Sequence, residues 1–144
     1  MRNKSEIWKN LSNSSLVNEL EQERWFESQS LDPTKQYFSI MVDNKMVGCM
    51  WYHDWDRINS SCRVGIFIHP DHQKKHIAYH SLKVFIKYLH EDLNIHRIWL
   101  LVLKENKPAI KLYKKLGFIK EGTQSQAVFR DGKYHDYLMM GKVI

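Results

Sequence analysis

The chain has 144 residues, with 22 Lys and Arg against 16 Asp and Glu, which gives a net charge of +6. Its hydrophobic fraction of 43% and charged fraction of 26% are typical of a folded globular domain, and they exclude intrinsic disorder and a collagen-like chain. We expect a single domain over residues 1–144, because no linker rich in Gly, Ser or Pro divides the sequence.

Several features bear on location and partners. The longest apolar run, Ile98–Leu103, is far shorter than the roughly 20 residues that span a bilayer. The polar start, Met1–Glu6, is not followed by a secretory signal, so we expect a cytoplasmic protein with no membrane partner. Cys49 and Cys62 lie in apolar stretches and are expected to be buried free thiols. The excess positive charge favours a polyanionic partner, such as nucleic acid, anionic lipid or a phosphorylated cofactor.

The first half of the chain predicts two helices followed by three strands. Apolar residues recur at helical spacing within Ile7–Leu11 and Leu16–Glu27, and Asp32-Pro33 ends this part. A tight turn at residues 43–45 joins the first two strands, and a polar loop at residues 54–60 precedes the third. The predicted strands are Gln36–Val42, Met46–His53 and Ser61–Ile68.

The second half changes period. Apolar residues at spacings of three and four predict a helix over Ile77–Leu93, and the nearly all-apolar Arg97–Leu103 predicts a central strand. Asn106 as N-cap and Gly117 as stop signal bound a second helix. The last two strands are Phe118–Phe129, with a break, and Lys133–Val143. The order α-α-β-β-β-α-β-α-β-β indicates an α/β (α+β) fold, a mixed sheet with helices on its faces.

The turn from the third strand into the long helix is the first candidate site. A strand that leads into a basic loop and a helix exposes free N–H groups at the positive end of the helix dipole, which favours phosphate binding. Lys74 and Lys75 add two charges there. A solvated basic loop explains this segment equally well on its own, because the glycines that usually mark phosphate loops are absent.

Two segments together carry a family resemblance. Residues 73–78 match the loop pattern Q/R-x-x-G-x-G/A at Gln73 and Ala78, with His76 in place of the first glycine. Residues 106–118 match N-x-x-A-x-x-L-Y-x-x-x-G-F at every specified position. From Gln36 onward the chain therefore resembles the GNAT superfamily of acetyl-CoA-dependent N-acetyltransferases. Its segment 129–136 resembles the branch of ribosomal-protein N-terminal and amino-sugar acetyltransferases.

The resemblance implies a GNAT-like mixed central sheet flanked by helices, and we expect the family's first strand to be missing here or supplied by a partner chain. It implies acetyl-CoA as acetyl donor and direct attack by a primary amine of a small molecule, an amino sugar or a peptide N-terminus. The reaction would occur where strands 61–68 and 97–103 diverge. A homodimer is also compatible with the resemblance.

The same resemblance implies the residues that would hold the donor. Backbone groups of Phe67 and Ile68 would pair with the pantetheine arm, and N–H groups from Gln73 to Tyr79 would hold the pyrophosphate. His76 then requires either an ordinary φ or an imidazole that leans away, and it could itself donate to the pyrophosphate. The expected cofactor-binding residues are Phe67, Ile68, Gln73, Lys74, Lys75, His76, Ile77, Ala78, Tyr79 and Asn106.

Tyr113 matches the position at which family members protonate the leaving thiolate. A phenol pKa near 10 lies close to that of a thiol, which suits proton return; a half-buried core tyrosine is the alternative. The base is less well marked, because Arg63 stands two residues before Gly65, where related enzymes commonly place Glu. His53 and Asp54, at the end of the neighbouring strand, are the substitutes, with a simple surface position as the alternative for each. His135 and Asp136 are weaker candidates.

Three further patterns have simpler explanations. His72, His76 and His80 would align as metal ligands on one continuous helix, but His72 is expected in the loop, so no metal site is predicted. Aromatic residues 51, 52 and 55 are expected to pack in the core, with substrate stacking as the alternative.

An acyl-CoA-binding sensor and a basic nucleic-acid-binding module are rival functions. We expect no nucleic-acid partner, because the lysines concentrate where CoA phosphates would lie.

Overall fold

The computed structural model describes residues 31–144. The two helices expected near the start of the chain, and the expected absence of a first strand, concern residues outside the described range. The described residues form six strands, two α-helices and one short 3₁₀ turn. These are β1 (Gln36–Val42), β2 (Lys45–Asp56), β3 (Ser61–Ile68), the 3₁₀ turn (Pro70–His72), α1 (Ile77–Glu91), β4 (Arg97–Leu103), α2 (Lys107–Lys115), β5 (Ile119–Arg130) and β6 (Lys133–Val143).

The strands form one mixed sheet in the order β1-β2-β3-β4-β6-β5. All neighbours pair antiparallel except β3 and β4, which are parallel. That parallel pairing covers only three residue pairs and ends at Arg63 and Trp99, so the rest of β3 and β4 diverge. The predicted mixed sheet is confirmed, and a gap opens in its middle.

Two predicted boundaries were wrong by a few residues. β2 continues to Asp56, whereas residues 54–56 were expected in a loop; a register shift after His53 and a φ of 55° at Asp54 accommodate the longer strand. The Asp56 carboxylate accepts N–H bonds from residues 58 and 59, which places the turn at 57–60. Helix α1 ends at Glu91, two residues before the predicted end. The break expected in β5 is present as two register shifts.

Both helices pack on the same face of the sheet. Alternate strand residues point to that face, among them Cys62 in β3, Leu100 in β4 and Met140 in β6, and they share one core cluster with Phe85 of α1 and Ile110 of α2. Residues between them point to the opposite side, which we call the second face. Its side chains include Tyr37, Trp51, His53, Arg63, Phe67, Trp99, Leu101 and Tyr137.

The ends of α2 follow the predicted signals. The Asn106 side chain accepts the N–H of Ala109 at 3.2 Å and caps the helix start. Gly117 adopts φ +86° just beyond the helix end, a conformation that glycine takes without strain, and the Phe118 N–H donates to the Tyr113 carbonyl at 3.0 Å. Within residues 31–144, no helix is long and apolar enough to cross a bilayer.

Candidate active site

A cavity of about 800 Å³ lies where β3 and β4 separate. Its walls come from residues 63–68 of β3, residues 101–103 of β4, the loop before α1, and α2. Tyr113 reaches it from the helix side of the sheet, whereas Trp51 and Tyr137 reach it from the second face. The cavity therefore passes through the gap and is accessible to groups on both faces.

The loop between β3 and α1 has an unusual backbone. Lys74 and His76 both adopt left-handed conformations, with φ of 60° and 58°. His76 directly precedes the right-handed residues of α1, and a left-handed residue in this position turns successive N–H groups toward one side, which forms an anion-binding concavity. The Gln73 side chain donates to the Ile68 carbonyl at 3.0 Å and fixes this loop to the end of β3.

His76 takes a left-handed conformation, which glycine adopts without strain. Its φ of 58° and ψ of 7° rule out the ordinary φ that was one of the two expected solutions. The first intrahelical bond runs from the His80 N–H to the His76 carbonyl at 3.1 Å, so the N–H groups of residues 77–79 have no carbonyl within the helix to bond. The loop thus presents free N–H groups in the way that glycine-rich loops do, without a glycine.

Positive charge surrounds this end of the cavity. The cationic or titratable basic side chains that line it include His72, Lys74, His76, Lys111 and Lys115. The Lys115 ammonium lies 4.6 Å from the centroid of the Tyr79 ring. Lys75, which was expected in the cofactor set, is exposed and does not line the cavity. No Asp or Glu of the described residues lines it.

Tyr113 lies in the wall of the cavity and is 8% exposed. Its ring packs edge-to-face on Phe118, with centroids 5.7 Å apart. Burial raises its pKa to about 12, above the value near 10 that the sequence suggested. The hydroxyl therefore keeps its proton throughout the physiological pH range and can act as a donor.

On the second face, Trp51 and Tyr137 line the cavity beside Arg63. The Trp51 indole lies directly over Gly65, where an added Cβ would be 2.4 Å from the ring, so only glycine fits below it. The Tyr137 hydroxyl is buried and has no hydrogen-bond partner among the described residues. Tyr52 packs in the core as expected, whereas Trp51 does not.

The candidate bases lie outside the cavity. His53 pairs with Arg63 across β2 and β3, and its Nε2 is 2.6 Å from the Tyr37 hydroxyl oxygen. Burial first, and then the Arg63 charge, lower the His53 pKa, which favours the neutral imidazole. Asp54 is exposed. The two weaker candidates face other groups: Asp136 accepts from Lys104 at 3.0 Å, and the His135 Nδ1 is 3.5 Å from Glu105.

The other residues expected to bind the donor line this cavity together with Tyr113. They are Phe67, Ile68, Gln73, Lys74, His76, Ile77, Ala78, Tyr79 and Asn106. Sequence reasoning missed Lys111 and Tyr137. Lys111 and Lys115 are one helical turn apart, a signal that was available. Tyr137 reaches the site through its pairing with Leu103, which no local pattern reveals.

The three histidines spaced by four do not share a helix. His72 ends the 3₁₀ turn, His76 is the residue before α1, and only His80 lies in the helix. Within the described part of the chain, no group of three or more His, Cys, Asp or Glu side chains could hold a metal ion.

Comparison with protein families gives one match that covers most of the chain. Residues 5–118 match the family described as "Acetyltransferase (GNAT) family". Over 109 residues the chain is 29% identical to spermidine N(1)-acetyltransferase of Escherichia coli (strain K12), a match that covers 76% of this chain. It covers 59% of the Escherichia coli protein, less than two thirds of its length.

Two further relatives are matched over more of their own length. The chain is 30% identical over 121 residues to the L-amino acid N-acetyltransferase AaaT of Escherichia coli (strain K12), covering 83% of this chain and 75% of that protein. Among solved structures, spermidine N-acetyltransferase from Vibrio cholerae in complex with CoA and spermine superposes with a TM-score of 0.84. That match has 27% identity and covers 89% of this chain and 76% of the other.

Proposed function

The chain belongs to the acetyltransferase (GNAT) family, and we propose that it transfers the acetyl group of acetyl-CoA to a primary amine. The enzyme class and the acetyl donor expected from the sequence are those of this family. The observation that carries the proposal is the cavity itself. It joins an anion-binding loop, the unpaired edge of β3 and the buried Tyr113 phenol in one continuous space.

The residues present fit the donor. The free N–H groups of residues 77–79 and the left-handed loop at Lys74 and His76 would hold the pyrophosphate. The pantetheine arm would lie along residues 64–68 of β3, whose edge toward β4 has no strand partner. The Ile68 carbonyl already accepts from Gln73, so the other groups of this edge would bind the arm.

The acceptor amine would reach the thioester from the second face. Its nitrogen bonds to the carbonyl carbon as the carbon–sulfur bond breaks, and Tyr113, on the helix side, donates its proton to the leaving sulfur. The amine must also lose a proton. Because neither His53 nor any described carboxylate lines the cavity, we propose that water removes this proton.

The acceptor and the assembly belong to the proposal as well. The relatives are named for spermidine and L-amino acids, which share a primary amine. An amino sugar or a peptide N-terminus, expected from the sequence, has the same nucleophile. Self-association is also proposed, since a solved spermidine N-acetyltransferase from Vibrio cholerae is described as dodecameric.

One observation favours a second candidate, an acyl-CoA-binding sensor without turnover. The Tyr113 pKa of about 12 makes full proton transfer to a thiolate less favourable than an unperturbed phenol would. Two measurements separate the candidates: thermal shift with acetyl-CoA, with duplex DNA as the rival ligand, and release of the CoA thiol with a panel of primary amines.

We expect acetyl-CoA to raise the melting temperature and at least one amine to accelerate thiol release. Stabilisation by acetyl-CoA without amine-dependent thiol release would favour the sensor. Stabilisation by DNA and not by acetyl-CoA would contradict both and favour a nucleic-acid-binding module.

A further inference from the structure

Arg63 is the charged residue that the second face brings to the cavity. It lies on β3 at the narrow end of the gap and is half-buried, and its neighbours in the strand point to the helix side. The other cations of the cavity belong to the loop before α1 and to α2, which bind the donor in the proposed function. Arg63 is thus the cation on the side from which the acceptor would arrive.

No described acidic side chain forms an ion pair with the Arg63 guanidinium. The guanidinium carbon lies over the Trp99 ring, 5.7 Å from its centroid, within the range of a cation–π interaction. That contact uses one face of a planar group and leaves in-plane N–H donors for an anion. The neighbouring His53 is within hydrogen-bond distance of the Tyr37 hydroxyl, and an imidazole, neutral or protonated, provides no negative charge to pair with Arg63.

The other described groups on this side of the cavity are neutral. Trp51 provides an aromatic wall, and the buried Tyr137 hydroxyl provides a hydrogen-bonding group without a partner among the described residues. A polycationic acceptor would place its additional ammonium groups beside Arg63 with no described carboxylate to balance them. An acceptor with its own negative group would instead pair with the guanidinium, which binds carboxylates and phosphates in a bidentate manner.

We propose that the acceptor carries a carboxylate or phosphate close to its primary amine, and that Arg63 on the second face binds this anion. The inference rests on the proposed function and names the substrate class of the same site. Arg63 is in this view a specificity-determining residue. It orients the acceptor by its anion, so that the amine nitrogen points into the gap between β3 and β4.

Matched acceptor pairs test the anion directly. The members of each pair differ in the anion beside the amine: an L-amino acid against its amide, and phosphoethanolamine against ethanolamine. The first pair reports a carboxylate and the second a phosphate. For at least one pair, we expect the wild-type kcat/KM to favour the anionic member by about tenfold or more. Spermidine is included as the polycationic acceptor.

Variants of Arg63 then assign the preference. Relative to the wild type, Arg63→Gln should lower the ratio within a pair by about tenfold, and Arg63→Lys should lower it less. Because the ratio is compared between variants of one enzyme, differences in amine basicity cancel. Arg57→Gln is the matched control: its guanidinium also stacks on a tryptophan, 4.7 Å from the Trp55 ring, but it does not line the cavity. Stabilisation by acetyl-CoA verifies that each variant is folded.

The outcomes are distinguishable. Equal or faster transfer to the neutral partners or to spermidine overturns the inference while the proposed function stands. An anion preference that survives in Arg63→Gln overturns the role of Arg63. If acetyl-CoA binds but no amine accelerates thiol release, the proposed function fails, and the inference fails with it.

Discussion

Arg63 and Trp99 form the last residue pair between the two parallel strands at the centre of the sheet, and the Arg63 guanidinium lies against the Trp99 ring. Beyond this pair the strands diverge and the cavity begins. The two residues thus end the strand pairing, and Arg63 lines the cavity at this point.

The loop before α1 supplies a test with a built-in control. Lys74 and Lys75 are both exposed, but Lys74 lines the cavity and Lys75 does not. Lys74→Glu should weaken acetyl-CoA binding by roughly tenfold, because it places a negative charge beside the phosphates. Lys75→Glu makes the same change in net charge and should weaken binding by only about twofold, since water and salt screen it. Calorimetric titration measures both, and equal losses would contradict the assignment of Lys74.

His76 should carry conformational strain in the free protein. A side chain at φ 58° costs about 1–2 kcal/mol that glycine does not pay. His76→Gly should therefore raise the melting temperature, by roughly 3 °C per 1 kcal/mol gained in a chain of this size. His76→Ala keeps the Cβ and should give no such gain. A lower melting temperature for His76→Gly would show that the imidazole itself stabilises the loop.

The same two variants examine the imidazole as a ligand. If the His76 ring donates to the pyrophosphate, both substitutions weaken acetyl-CoA binding equally. If backbone N–H groups alone hold the pyrophosphate, as the loop geometry indicates, His76→Gly should bind acetyl-CoA at least as tightly as the wild type.

His53 should make stability depend on pH. Burial and the Arg63 charge lower its pKa in the folded protein below the unfolded value of about 6.5. The unfolded chain therefore binds the proton more readily, so the stabilisation by His53 is present above pH 6.5 and is lost as the pH falls through the folded pKa. His53→Gln should cost about 1 kcal/mol at pH 8, where it removes the hydrogen bond to Tyr37.

That cost should shrink as the pH falls from 8 to 5. Denaturant unfolding of wild type and His53→Gln at several pH values measures the difference. A difference that stays constant, or grows toward acid pH, would mean that the imidazole is not held neutral in the folded protein.

The described fold could be predicted because each element carries its own signal. The period of α1, the N-cap at Asn106 and the stop at Gly117 are local, and the structure confirms them. The extra length of β2 could not be predicted, because the polar residues Asp54 and Asp56 flank Trp55 and are typical of a loop. Their strand conformation depends on pairing across a register shift.

The site was predicted less completely, for physical reasons that particular residues illustrate. The motif identified the loop and Tyr113, but it could not decide the backbone conformation of His76, which depends on how the loop closes onto Ile68. Tyr137 enters the cavity only because β6 pairs with β4. The raised pKa of Tyr113 follows from burial by residues distant in sequence.

Tyr113 tests the central claim that the cavity is a catalytic acetyl-transfer site. Tyr113→Phe keeps the ring packed on Phe118 and removes the proton donor. Stabilisation by acetyl-CoA should persist. The free energy of unfolding of the free protein should change by about 1 kcal/mol or less. Because the wild-type phenol has a pKa of about 12, the wild-type rate should not decline between pH 8 and 10 through loss of this proton.

The most direct measurement is single-turnover acetyl transfer at saturating acetyl-CoA, with the best amine of the panel, for the wild type and folded Tyr113→Phe. We predict a loss on the order of 10²-fold or more in the rate constant, with acetyl-CoA affinity unchanged within about twofold. A rate constant equal to that of the wild type would contradict the account. It would make Tyr113 a core residue and leave protonation of the thiolate to water.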